Sequence, residues 1–131
     1  MRRMSHRVLV VDDDTALAEM IGIVLRADEF EPHFCADGDG ALAAFRDASP
    51  DLVLLDLMMP EMDGFGFLRA LRTRPDWRDI PVVVLTAKDI TAEDRRRLAG
   101  QADRVLAKGT TGLSELAREL RALMPGHAPA D

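Results

Sequence analysis

Four apolar runs in this 131-residue chain each end in a polar or charged side chain. Val8-Leu9-Val10-Val11 runs into Asp12-Asp13-Asp14, and Leu52-Val53-Leu54-Leu55 runs into Asp56. Val82-Val83-Val84-Leu85 leads to Thr86-Ala87-Lys88, and Val105-Leu106-Ala107 leads to Lys108. A buried strand that ends in an acid places that acid at a sheet edge, where chemistry can reach it. If Asp12, Asp13 and Asp56 share one small cleft, their charges repel, so they either share a proton or bind a divalent cation. Oxygen-only ligands with room for water favour Mg²⁺. A carboxylate held beside such a cation can attack phosphorus and form an acyl phosphate. The cation and a lysine would neutralise the transferred oxygens, leaving positioning as the rest of the work. Lys108 and the Thr86 hydroxyl are the candidates to meet those oxygens, and Ala87 is small enough to let a phosphoryl group approach the backbone.

Such convergence needs a particular scaffold. Five strand-like runs alternate with five helix-like segments, the pattern of crossover connections and a parallel sheet in the α/β class. Strands are expected at Arg7–Val11, 31–36, Leu52–Leu55, Val82–Thr86 and Arg104–Ala107. The third and fourth are almost wholly apolar, as strands covered on both faces should be. Pro32 removes a ladder donor from the second, which suits an edge. Helices are expected from Asp14 or Thr15, over 40–48, after Gly64 with Phe65, Leu68 and Leu71 inward and Arg69 and Arg72 outward, from a capping box at Thr91-Ala92-Glu93-Asp94, and over 113–124. In a sheet of order 2-1-3-4-5 the strand order reverses between the first and third strands, and there Asp12, Asp13 and Asp56 would meet.

The bulk properties set limits. Apolar residues make up 47% and charged residues 31%, ordinary for a folded globular domain. The net charge of −6 disfavours direct binding of nucleic acid phosphates by this domain. Cys35 is the one cysteine, so neither an internal disulfide nor a thiolate metal cluster is available. No run reaches transmembrane length and no signal peptide is recognisable. The expectation is one domain over residues 1–126 with a short disordered tail at 127–131, located in the cytoplasm.

With these residues in order, the chain resembles a receiver domain of bacterial two-component response regulators, the flavodoxin-like (βα)5 fold of the chemotaxis regulator. The resemblance covers nearly all of the chain and looks nearest to receivers associated with hybrid sensor kinases. It implies Asp56 as phosphoacceptor, Asp12 and Asp13 as the acidic pair at Mg²⁺, and the Met58 backbone carbonyl as a further metal ligand. It also implies Thr86 as the switch hydroxyl, Lys108 as the phosphate-binding lysine, and Met59-Pro60 and Asp63-Gly64 as the turn after the acceptor. Met58 and Lys88 match positions that tune hydrolysis. Two departures stand out: Val105 replaces the usual aromatic three residues before the lysine, and Gly109 replaces the usual proline, so a trans peptide or a rebuilt turn is expected there.

The function so implied is that of a single-domain response regulator. It takes a phosphoryl group on Asp56 from a histidine kinase or phosphotransfer protein and switches contacts with a downstream protein target. It catalyses nothing beyond its own phosphorylation and dephosphorylation. Two alternatives differ in class. A phosphorylation-independent scaffold is favoured by Val105 and Gly109 and opposed by the intact acid, hydroxyl and lysine set. An aspartyl-phosphate phosphohydrolase needs a second acid two residues after the nucleophile, where this chain has Met58.

Overall fold

The computed structural model describes residues 6–47, 49–59, 62–87 and 90–124. Pro60, Lys88 and the expected tail at 127–131 lie outside the described residues. The chain runs through β1 (Arg7–Val11), α1 (Thr15–Ala27), β2 (Glu31–Cys35), α2 (Gly38–Asp47) and β3 (Leu52–Leu55). A small antiparallel hairpin follows, β4 (Met58–Met59) with β5 (Met62–Asp63). Then come α3 (Gly64–Thr73), β6 (Val82–Thr86), α4 (Ala92–Leu98), β7 (Arg104–Ala107) and α5 (Leu113–Leu123). The main sheet has order β2-β1-β3-β6-β7, with every neighbouring pair parallel. Counting its five strands alone, this is the 2-1-3-4-5 order of the flavodoxin-like fold.

The strand alternation sorts the core into two layers. Leu9, Val11, Val53, Leu55, Val82 and Val84 face Phe45, Leu68, Leu71 and Leu98 from α2, α3 and α4. Val8, Val10, Leu52, Leu54, Val83 and Leu85 face Ile21, Leu25, Leu116 and Leu120 from α1 and α5. The central strands β3 and β6 are buried at every position, because helices cover both faces. β2 takes the edge, as its Pro32 foretells.

Local signals set the helix ends. Asp14 caps α1 by accepting from Leu17 N, and Asp63 caps α3 by accepting from Phe65 N. The capping box at Thr91 and Asp94 forms in both directions. Where the expectation was 40–48, α2 begins two residues earlier, because Asp37 binds Gly40 N at 2.6 Å and its carbonyl receives Ala41 N. Glycines at 38 and 40 hide that start from a propensity reading. β2 accordingly ends at Cys35 rather than 36.

Two side chains of α3 lie otherwise than a simple helical stripe predicts. Phe67 is buried with Leu68 and Leu71, whereas Phe65 is only half-buried and lies under the Arg97 guanidinium, 3.8 Å from its ring centre. Arg72 does not point outward into solvent. Its guanidinium donates to the carbonyls of Gln101 (2.8 Å), Arg78 (2.9 Å) and Ile80 (2.7 Å) and pairs with Asp103 at 3.3 Å. Asp103 in turn accepts from Val82 N, so one side chain ties α3 to the loops entering β6 and β7. Trp77, in the loop before β6, is buried against Phe45 with ring centres 4.7 Å apart.

Candidate functional site

Asp12, Asp13, Asp56, Thr86, Ala87 and Lys108 all emerge at the carboxyl edge of the sheet, at or just past the ends of their strands. Asp12 follows β1, its N–H donating to the Cys35 carbonyl of neighbouring β2. Asp56 follows β3, its N–H donating to the Val11 carbonyl of β1. These bonds carry the parallel pairing one step past the strands and bring the two acids together at the reversal of strand order. Both are nearly buried, Asp12 at 7% and Asp56 at 4% exposure, whereas Asp13 is exposed. Carboxylate oxygens of Asp12, Asp13 and Asp56 all lie within 4.8 Å of one another.

Lys108 reaches this cluster from the end of β7. Its Nζ lies 3.0 Å from Asp12 Oδ2 and 3.2 Å from Asp56 Oδ2, bridging the two buried acids. Its backbone N–H donates to the Thr86 carbonyl at 2.9 Å, which fixes the ends of β6 and β7 to each other. Thr86 is fully buried at the end of β6, and Ala87 beyond it is exposed. The turn after the lysine is rebuilt without proline: the Ala107 carbonyl accepts from Thr110 and Thr111, and no cis peptide occurs among the described residues. Val105 is half-buried and packs against the same cluster as Phe65 and Ile90.

The electrostatics follow from burial set against pairing. Burial pushes the Asp12 carboxyl above its usual 3.8, opposed by hydrogen bonds from Asp14 N and Lys108, and the Asp56 charge adds to the rise. Burial alone would lower Lys108. The hydrogen bonds and charges of Asp12 and Asp56 outweigh it and hold the ammonium above 10.5. A lysine raised in this way contributes stability that is complete below its unfolded value and lost as pH rises through the folded one. Unfolding by urea on either side of 10.5 should therefore show wild-type stability falling as pH rises. Lys108→Met should lack that component of the fall.

Some supporting groups left little trace in the sequence. Asp14 was expected only as a helix cap, yet its N–H also donates to Asp12 Oδ1 at 2.9 Å and orients that carboxylate. Gly64 is buried against the backbone of Leu57, beside Asp56. The donor set itself is hard oxygen from carboxylates, the kind that Mg²⁺ takes, and it fits a divalent cation better than a soft metal.

A parallel sheet of this order, with clustered acids and a bridging lysine at its switch point, defines a flavodoxin-like domain with a cation-competent acidic site. The chain belongs to the response regulator receiver domain family, whose model matches residues 8–121, and so is a receiver domain of two-component signalling. The DNA-binding response regulator MtrA of Mycobacterium tuberculosis is 46% identical over 108 residues, which make up 82% of this chain and 46% of that protein. The chain spans about half the length of the curated relatives it matches. Among solved structures, the receiver domain of a signal transduction histidine kinase from Syntrophus aciditrophicus superposes with a TM-score of 0.83 at 31% identity, covering 93% of this chain and 92% of that one. The chemotaxis protein CheY4 of Vibrio cholerae gives 0.82 at 29%, covering 90% and 98%. No helix among the described residues is long and apolar enough to cross a membrane.

Proposed function

We propose that this domain accepts a phosphoryl group on Asp56, from a histidine kinase or a histidine phosphotransfer protein, with Mg²⁺ held by Asp12, Asp13, Asp56 and the Met58 carbonyl. The observation that carries this reading is the Lys108 ammonium bridging Asp12 and Asp56 beside a third carboxylate. In the proposed step an Asp56 carboxylate oxygen forms the new bond to phosphorus, and the bond from phosphorus to the donor breaks with its electron pair leaving on the donor. Lys108 lies where it can pair with the transferred oxygens, and the Thr86 hydroxyl is the group proposed to turn toward them. Ala87, exposed beside Thr86, is the small residue proposed to let the phosphoryl group come near the backbone. When bound, the cation supplies positive charge that lets anionic nucleophile and anionic phosphoryl group meet.

Phosphorylation then biases the surface around α4 and β7 toward a state recognised by a downstream protein. Direct DNA contact by this domain is not proposed: its net charge is −6, and the DNA-binding relative MtrA is about twice as long as the matched region. Incubation of the wild-type chain with Mg²⁺ and a small acyl phosphate donor should add one phosphoryl group by intact mass, and a chelator should prevent it. No addition to a folded, Mg²⁺-binding protein would shift support to a scaffold that acts independently of phosphate.

A further inference from the structure

Gly64 opens α3, and a β-carbon built on it would stand 2.7 Å from Leu57 Cα, 2.9 Å from Leu57 Cδ2 and 3.1 Å from the Leu57 carbonyl oxygen. The first of these is a backbone atom and cannot be turned aside like the end of a side chain. The backbone of Gly64 does not take a positive φ, so its conformation suits any residue and only this contact excludes a side chain. Leu57 separates Asp56 from Met58, and β4 pairs Met58 with Asp63 immediately before Gly64. The start of α3 therefore rests directly on the backbone between the proposed acceptor and the proposed metal-binding carbonyl.

We propose that Gly64 is a positioning residue for the acceptor loop: its missing side chain lets α3 seat against Leu57 and sets where the Asp56 carboxylate and the Met58 carbonyl stand relative to Asp12 and Asp13. This rests on the phosphoacceptor reading above. A side chain at 64 moves the Leu57 backbone, and the groups on either side move with it. Displacements of about 1 Å at a reacting centre cost on the order of a hundredfold. Gly66, on the same turn of α3, is the matched control. A β-carbon there meets only the Asp63 side chain, at 3.2 Å from Oδ2, and that carboxylate can shift.

The test compares Gly64→Ala with Gly66→Ala and wild type. Mg²⁺ affinity is read by calorimetric titration without any donor, phosphorylation by intact mass with a small acyl phosphate, and folding by Trp77 fluorescence in urea. Gly64→Ala should fold yet bind Mg²⁺ at least about tenfold more weakly and phosphorylate at least about tenfold more slowly, with Gly66→Ala near wild type. A folded Gly64→Ala with wild-type affinity and rate would overturn the proposal. If Gly64→Ala does not fold, the double variant Leu57→Ala/Gly64→Ala removes the Cδ2 contact and keeps the one to Cα, and the same losses are expected in it. Wild-type values there would overturn the proposal, and so would failure of that variant to fold where Leu57→Ala alone folds, which would make Gly64 a requirement of the fold. The single variant is the needed control because Leu57 is itself buried. A wild-type protein that binds Mg²⁺ but takes no phosphoryl group would instead overturn the phosphoacceptor reading, and the affinity comparison would still judge Gly64.

Discussion

Asp56→Asn should take up no phosphoryl group over a period in which the wild-type protein is fully loaded, while remaining at least as stable as wild type. The loss is chemical: an amide is too poor a nucleophile toward phosphorus to replace a carboxylate. The neighbouring acids do not substitute. The Asp12 carboxylate is engaged by Asp14 N and by Lys108, and Asp13 stands exposed outside the buried pair. The stability follows from charge. Asp56 lies beside Asp12 and raises its carboxyl, so removing that charge relieves repulsion among the three acids, and Asn keeps an oxygen to receive Lys108. Intact mass with a small acyl phosphate checks the first half and urea unfolding the second. A variant that still accepts a phosphoryl group at the wild-type rate would move the acceptor elsewhere.

Arg72→Ala should lower stability by about 3 kcal/mol, and the melting temperature by roughly 10 °C, without lowering Mg²⁺ affinity. One guanidinium satisfies the carbonyls of Gln101, Arg78 and Ile80 and pairs with Asp103, at only 15% side-chain exposure. Truncation leaves these acceptors in a partly buried pocket and frees the loops entering β6 and β7 from α3. Charge-assisted bonds are worth more than neutral ones, which places the loss above that of an ordinary surface substitution. Arg72→Lys should recover little, because an ammonium cannot present the planar fork that reaches three carbonyls at once. Trp77 sits in the connected loop and packs on Phe45, so its fluorescence reports this unfolding directly. A loss of less than about 1 kcal/mol would show that solvent replaces the guanidinium at low cost.

The architecture was readable because burial writes itself into this sequence. β3 and β6 are apolar runs with no polar interruption, Pro32 marks the edge strand, and Asp14 and Thr91 mark helix starts. The acidic cluster was readable for a related reason: in a parallel sheet of this order, residues just after the first and third strands must be neighbours, so Asp12, Asp13 and Asp56 meet whatever their separation in the chain. What escaped depends on contacts that no local pattern encodes. Helical patterning assigns the charged Arg72 to solvent, and only the fold brings Gln101 and Asp103 beneath it. Phe65 and Phe67 both suit the start of an amphipathic helix; the core takes Phe67, and Arg97 lies over the ring of Phe65. Gly64 reads as a turn residue until the backbone of Leu57 is found against it. The glycines at 38 and 40 disguise the first turn of α2, because propensity disfavours what Asp37 secures with its side chain.

The most direct test of the central claim is to locate the phosphoryl group itself. After loading with Mg²⁺ and a small acyl phosphate, borohydride reduction converts an aspartyl phosphate to homoserine, and peptide mass spectrometry shows which residue has changed. Homoserine is expected at position 56, and is expected to be absent when Mg²⁺ is withheld. Homoserine at 12 or 13, or a loaded protein in which no aspartate is reduced, would contradict the claim.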